Sequence, residues 1–134
     1  MPKSKKNRII KNSKPVPKYL YLKQEEKERL IAIKLLLEQS LQTHYTIPEL
    51  AKKAFMNEFK LKKGFKQLFN KSIHALHYEL RMQKAIQLLK ETDLRLEDIA
   101  REIGYHFLTS FISAFRRSYK VTPYTYRKKH RNSE

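Results

Sequence analysis

The sequence predicts an all-α fold of about seven helices, in which two similar helical units are joined by a long linker helix. Three observations lead to this prediction. Apolar residues recur at helical spacing through most of the chain, and no stretch shows the alternation typical of a strand. The same order of motifs also occurs twice, about 50 residues apart.

Composition limits the partners that such a chain would bind. Its 134 residues suit one domain or two very small packed units. A net charge of +17 would repel itself in isolation, so it favours a polyanionic partner. Nucleic acid is the leading candidate, with an anionic membrane surface or an acidic protein as alternatives.

The absence of cysteine excludes disulfides and cysteine-ligated zinc, and fits a cytoplasmic protein. No apolar run is long enough to cross a membrane, so no membrane partner is predicted.

Residues 1–22 are predicted to form a flexible basic arm. This segment has seven lysines and arginines, no acidic residue, and three prolines that argue against a helix. Such an arm is either a tail that binds phosphate groups or a soluble linker.

From Lys23 onward an amphipathic helix is predicted, with one apolar face formed by Leu30, Ile33, Leu37 and Leu41.

The first unit then begins with a capping box at Thr46 and Glu49, followed by a short helix to about Ala54. After a tight connection at residues 55–57, a second helix has an apolar face and a lysine-rich face. Ser72 is predicted to cap a long third helix that ends near Glu91 or Thr92.

The second unit repeats this order. A short helix is predicted over 95–103, Gly104 forms the turn, and an aromatic-striped helix covers 108–119. Thr122 then caps a short basic helix that has Pro123 in its first position. Residues 46–55 align with 95–104, and residues 65–76 align with 115–126.

A short helix with alanine on its inner face, a tight turn and a second helix is the helix-turn-helix pattern. The predicted fold is therefore two helix-turn-helix subdomains joined by a long linker helix. The predicted boundaries are the arm at 1–22, the first subdomain at 23–71, the connecting helix at 72–92 and the second subdomain with its basic C-terminal helix at 93–134.

These residues resemble a known family. The segment LEDIAREIGY…FISAFRRSYKVTPYTYR is similar to the second half of the DNA-binding domain of AraC-family transcription regulators. The resemblance covers about residues 25–130, and the first half is weakly similar to the PchR-like branch. It implies sequence-specific binding of double-stranded DNA, with RNA polymerase as a further partner. Most such regulators also carry an effector domain, so this chain is either a small stand-alone regulator or part of a longer one.

Several positions depart from the family pattern. Phe55 stands where a turn glycine is usual, which leaves a differently wound first turn open and predicts that Phe55→Gly stabilises the fold. Arg95 replaces the usual Ser or Thr cap, so fraying is expected there. Leu108 and Ile112 stand where polar base-reading residues are common, which weakens the expectation of base reading by the second unit.

In a helix-turn-helix motif the outward face of the second helix enters the major groove. The DNA-contacting residues predicted in the first unit are Phe59, Lys60, Lys62, Lys63 and Lys66. Those predicted in the second unit are Thr109, Ile112, Ser113, Arg116 and Arg117. A lysine can bind guanine or phosphate, and for each single lysine a phosphate contact is favoured over a base contact. The linker helix would place the two units on successive grooves, so a monomer could read both half-sites.

No enzyme, cofactor or metal site is predicted. His74 and His77 have a spacing that can bind metal, but no obvious third ligand completes the site. The sequence also holds no Gly-rich phosphate loop or nucleophile elbow. The alternative functions are a non-specific architectural DNA- or RNA-binding protein and a module that binds an acidic protein.

Overall fold

The computed structural model describes residues 19–132, and these form seven α-helices and no strand. The all-α prediction is thus confirmed. In chain order the helices are α1 Gln24–Gln39, α2 Ile47–Lys53, α3 Glu58–Phe69, α4 Ile73–Glu91, α5 Leu96–Glu102, α6 Leu108–Tyr119 and α7 Pro123–Asn132. Most of the predicted basic arm, residues 1–18, lies outside the described residues.

The packed part of the chain begins before the boundary predicted at residue 22. Leu22 is buried against the first core. The backbone N–H of Leu20 donates to the Gln67 side chain at 2.7 Å, and that side chain donates back to the Leu20 carbonyl at 2.8 Å. This segment is therefore held against α3, because a side-chain amide replaces its missing backbone partners.

The helix α1 buries Leu30, Ile33 and Leu37, as their spacing predicted. It ends at Gln39, so Leu41 lies beyond the helix, where it is only partly buried. Gly64 on α3 allows α1 to approach closely, since a Cβ there would lie 3.1 Å from a methyl group of Leu30.

The predicted helix caps are present in the structure. The Glu49 amide donates to the Thr46 hydroxyl at 3.2 Å, and the Thr46 amide donates to the Glu49 carboxylate at 3.1 Å. Ser72 and Thr122 accept from the amides three residues later, both within 3.2 Å. Unpaired amides at helix N-termini are satisfied in this way.

The linker helix α4 belongs to both units. Its first half contributes Ile73 and Leu76 to one buried cluster, and its second half contributes to another. The first cluster comprises Leu22, Leu30, Ile33, Leu37, Leu50, Ala51, Ala54, Leu61, Phe65, Ile73 and Leu76. The second comprises Met82, Ala85, Leu88, Leu89, Ile99, Ala100, Ile103, Phe111, Ala114 and Phe115. Two small cores are thus joined by one continuous helix.

The C-terminal helix α7 packs against the end of α4. Arg127 donates to the backbone carbonyls of Leu89 and Leu94, at 3.2 and 2.6 Å, and its guanidinium also reaches the Leu88 and Thr92 carbonyls. The Leu88 and Leu89 carbonyls belong to the last turn of α4 and those of Thr92 and Leu94 come just after it, where a cation is favourable. One arginine therefore fixes the C-terminus of the linker helix to the second unit.

The internal repeat extends to the backbone conformation. Phe55 and Gly104 both have positive φ, 54° and 97°, at equivalent positions in the two turns. After each turn the chain makes the same hydrogen bond, from Met56 N to the Ala51 carbonyl and from Tyr105 N to the Ala100 carbonyl. The first turn is therefore wound like the second.

A second pair of equivalent positions ends the helices α3 and α6. Asn70 follows α3 with a φ of 62°, and Lys120 follows α6 with a φ of 66°. Both residues cap the C-terminus of their α-helix with a left-handed backbone conformation. The two units therefore share a backbone design over the short helix, the turn, the second helix and its end.

Candidate nucleic-acid interface

The turn of each unit fixes how its second helix projects. In the first unit Asn57 accepts a hydrogen bond from Lys60 N at 2.7 Å, so α3 starts at a defined residue. Buried Leu61 and Phe65 turn one side of α3 toward the first core. Buried Phe111 and Phe115 do the same for α6. The opposite sides of α3 and α6 are the predicted DNA contacts, and we call them the reading faces.

The reading face of α3 is formed by Phe59, Lys62, Lys63 and Lys66, which line one shallow surface cavity of about 490 Å³ together with Glu58. Phe59 is 56% exposed. The structure therefore brings four of the five predicted residues of the first unit together. The exposed Phe59 ring can make an apolar contact, and the three lysines beside it offer ammonium groups as hydrogen-bond donors.

The reading face of α6 is formed by Thr109, Ile112, Ser113 and Arg116. All of these side chains are exposed except Ile112, which is partly buried. Leu108, at the start of the same helix, packs against the second core, so it is turned partly away from this face. The second face thus offers hydroxyl groups, one aliphatic side chain and a single arginine.

Two predicted contact residues lie at the inner edges of these helices. Lys60 forms an ion pair with Glu26 on α1, and this contact holds the pKa of the Glu26 carboxyl below its usual range. The Arg117 guanidinium lies 5.9 Å from the ring centre of Tyr78 on α4. Both side chains therefore contact neighbouring helices of the protein.

Two exposed aromatic residues near α3 and α6 were not among the predicted contact residues. Phe107 immediately precedes α6 and is 70% exposed, and Phe55 in the first turn is 81% exposed. The sequence shows Phe107 as one more residue in an aromatic-rich segment. The predicted helix bounds already put Phe107 at the N-cap, but its exposure becomes clear only from the structure.

Residues 19–132 offer neither a candidate metal centre nor a candidate membrane span. No group of three or more histidine, cysteine, aspartate or glutamate side chains there is placed to hold a metal ion. In the same residues no helix has the length and apolar character needed to cross a membrane.

Comparisons with known proteins match this architecture. A family model described as a helix-turn-helix domain matches residues 50–129. The HTH-type transcriptional regulator AlkR of Acinetobacter baylyi is 31% identical over 83 residues, which are 62% of this chain and 27% of that protein. The xylose operon regulatory protein of Escherichia coli K12 is 37% identical over 67 residues, 50% of this chain and 17% of that protein. The chain therefore spans about a quarter or less of the length of these relatives.

Solved structures share the fold. The C-terminal domain of the two-component response regulator yesN from Fusobacterium nucleatum has a TM-score of 0.68 at 30% identity, covering 72% of this chain and 95% of that chain. The DNA-binding domain of AdpA, solved in complex with a target DNA, has a TM-score of 0.74 at 21% identity, covering 79% of this chain and 96% of that one. With the matched family model, these likenesses show that the chain belongs to the AraC-type helix-turn-helix family of DNA-binding transcription regulators.

Proposed function

We propose that this chain binds double-stranded DNA sequence-specifically and regulates transcription, with α3 and α6 placed in successive major grooves. The observation that carries this proposal is the duplicated backbone geometry, which presents two outward polar helix faces on one chain. Successive major grooves on one side of B-DNA lie about 34–36 Å apart. Because α4 contributes to both cores, it would fix the separation of the two reading helices.

The two reading faces suit different base contacts. Lys62 and Lys63 can donate to guanine O6 and N7, and the exposed ring of Phe59 can contact a thymine methyl group. Lys66, farther along α3, suits a phosphate. The first half-site is therefore expected to favour guanine next to thymine.

The second half-site is expected to depend on weaker donors. Thr109 and Ser113 can each give or accept one hydrogen bond, and Ile112 suits a thymine methyl group. Arg116 suits a phosphate. Lys60 and Arg117 we assign to holding α3 and α6 against α1 and α4, because both already contact those helices.

The chain is proposed to act as a monomer, since one chain carries both α3 and α6. Its proposed location is the cytoplasm. The relatives are named as transcription regulators, so recruitment or obstruction of RNA polymerase is the proposed consequence of DNA binding. A net charge of +17 supplies the sequence-independent part of the affinity through phosphate contacts.

The test is selection of bound duplexes from a randomised DNA library, followed by affinity titrations across salt concentrations. The proposal expects an enriched motif of two half-sites about one helical turn apart. Lys62→Ala should lower the affinity by roughly 1–3 kcal/mol and relax the preference in one half-site only. Lys27→Ala, which removes an exposed lysine from α1, is the matched control.

Other outcomes would contradict the proposal. Tight, steeply salt-dependent binding without any sequence motif would mean that the lysines and arginines bind only phosphates, as in an architectural protein. Absence of affinity for any duplex would favour an acidic protein partner.

A further inference from the structure

A cavity of about 710 Å³ lies where the loop between α1 and α2 meets the middle of α4. Its lining combines basic or protonatable groups, among them His44, His77 and Arg81, with apolar surface from Tyr45 and Ile47. Within the described part of the chain no carboxylate lines it. The lining therefore has the charge and the surface type that suit an anion with an apolar body.

Among the residues that the structure describes, Arg81 is a buried cation without a counter-ion. The side chain is 9% exposed, and no carboxylate of residues 19–132 lies within ion-pair distance of it. Its Nη2 donates to His44 Nδ1 at 2.8 Å and its guanidinium carbon lies 5.2 Å from the ring centre of Tyr105, while its buried Nε has no hydrogen-bond partner among the described residues. Burial of an uncompensated charge is costly, and a bound anion would offset that cost.

His77 lies one helical turn before Arg81 and also faces the cavity. Burial, followed by the nearby positive charge of Arg81 and by His44, lowers the pKa of His77 to about 4. The ring is therefore neutral near pH 7, and its buried Nε2 has no hydrogen-bond partner within residues 19–132. A bound anion would favour the protonated ring, because it would neutralise the charge that now opposes protonation.

We propose that this junction cavity binds a small organic anion, whose carboxylate or phosphate group pairs with Arg81 and whose apolar body packs against Tyr45, Ile47 and Tyr78. Arg81 supplies the charged hydrogen bonds, and His77 supplies a further polar contact. The apolar lining selects an anion with an aromatic or aliphatic body over an inorganic one.

The cavity is connected to the second unit by two hydrogen bonds. His44 Nε2 donates to the carbonyl of Gly104, the turn glycine, at 2.6 Å, while its Nδ1 accepts from Arg81. The Tyr78 hydroxyl donates to the Ala114 carbonyl on α6 at 2.6 Å. A ligand that contacts these side chains would therefore alter the hydrogen bonds that position α6. This coupling to DNA affinity rests on the proposed function, whereas binding of the anion does not.

The first experiment measures the melting temperature of the whole chain in the presence of benzoate and of phenyl phosphate, with sodium chloride added to keep the ionic strength constant. At least one of these probes is expected to raise the melting temperature in a saturable way at millimolar concentration. Arg81→Gln should weaken that binding at least tenfold. Lys90→Gln, which removes an exposed cation from the same helix, should leave it unchanged.

His77→Glu keeps the proposal testable if Arg81→Gln does not fold. A glutamate at this position would place a carboxylate near Arg81, so it should abolish probe binding by occupying the anion site. The inference is overturned if neither probe shifts the melting temperature beyond the chloride control, or if His77→Glu binds the probes as well as the original chain. Because no DNA is present, these outcomes do not depend on whether the chain binds DNA.

Discussion

The two turns reach the same backbone conformation with very different residues. Phe55 at φ 54° is 81% exposed, whereas Gly104 at φ 97° lies beneath the loop between α1 and α2. A Cβ on Gly104 would lie 2.5 Å from the Leu41 carbonyl oxygen. The packing of each helix pair thus sets the turn, and the local residue decides only how much strain the turn carries.

The two reading faces differ in a similar way. The first has three lysines around an exposed aromatic ring, and the second has two hydroxyl groups, one isoleucine and one arginine. Equivalent backbone positions therefore carry different chemistry. We expect the first unit to supply more of the charge-dependent affinity and the second to recognise bases through uncharged hydroxyl groups and one aliphatic contact.

The largest expected effect is at the second turn. Gly104→Ala adds a methyl group against a backbone carbonyl and forces a side chain into a positive φ, so it should lower the free energy of unfolding by about 3 kcal/mol or more. Denaturant unfolding of the whole chain measures this value. A loss below about 1 kcal/mol would show that the loop can move aside, contrary to the close contact described.

His77, at the junction between the units, should make the free energy of unfolding depend on pH by about 1 kcal/mol. The pKa of His77 is lowered to about 4 in the folded chain, so the unfolded chain binds this proton more tightly. Stability is then fully present above the usual histidine pKa near 6.5 and declines as the pH falls toward 4. The partly exposed ring reduces the size of the effect.

Unfolding at pH 7 and pH 5 tests this dependence, with His77→Gln as the comparison. The substituted chain should lose less stability between the two pH values than the original chain. Equal losses would mean that the histidine titrates normally in the folded chain.

The helix caps should show the next difference. Thr46 forms a capping box at α2, whereas Arg95 at the equivalent position of α5 makes no cap hydrogen bond and pairs with Asp98 on the surface. Thr46→Ala should cost about 1 kcal/mol, because an orphan amide loses its partner. Arg95→Ala should cost under about 0.5 kcal/mol, since exposed ion pairs contribute little. Equal losses in thermal unfolding would contradict this contrast.

The smallest expected effect is a gain. Phe55→Gly relieves a positive φ but increases the freedom of the unfolded chain, so stability should rise by roughly 0.5–1 kcal/mol. Phe55→Ala removes the ring yet keeps the Cβ, and it should give no such gain. A lower melting temperature for the glycine variant would mean that the exposed ring stabilises the turn.

The periodic parts of the fold were predictable from sequence, and the contacts between distant residues were not. The spacing of Phe111, Phe115 and Tyr119 marked α6 at its observed bounds, because a helix that buries one face must repeat its apolar residues. The bonds from Arg81 to His44 and from Tyr78 to Ala114 join residues 37 and 36 positions apart. Local pattern carries no information on such pairs.

The reading faces were predictable in part for the same reason. Apolar periodicity told which side of α3 faces inward, so Lys62, Lys63 and Lys66 could be placed outward from sequence. It could not show that Glu26 on α1 would take Lys60 as a partner. The contact of each candidate residue with DNA stays a prediction.

The most direct test of the central claim is a comparison of base preference after one substitution in each unit. Lys62→Ala and Thr109→Ala would each be profiled against the same randomised duplex library as the original chain. The account predicts that each variant relaxes the preference in its own half-site and leaves the other half-site intact. If both variants lower affinity uniformly for all sequences, or if both alter the same half-site, the two helices do not read DNA as separate units.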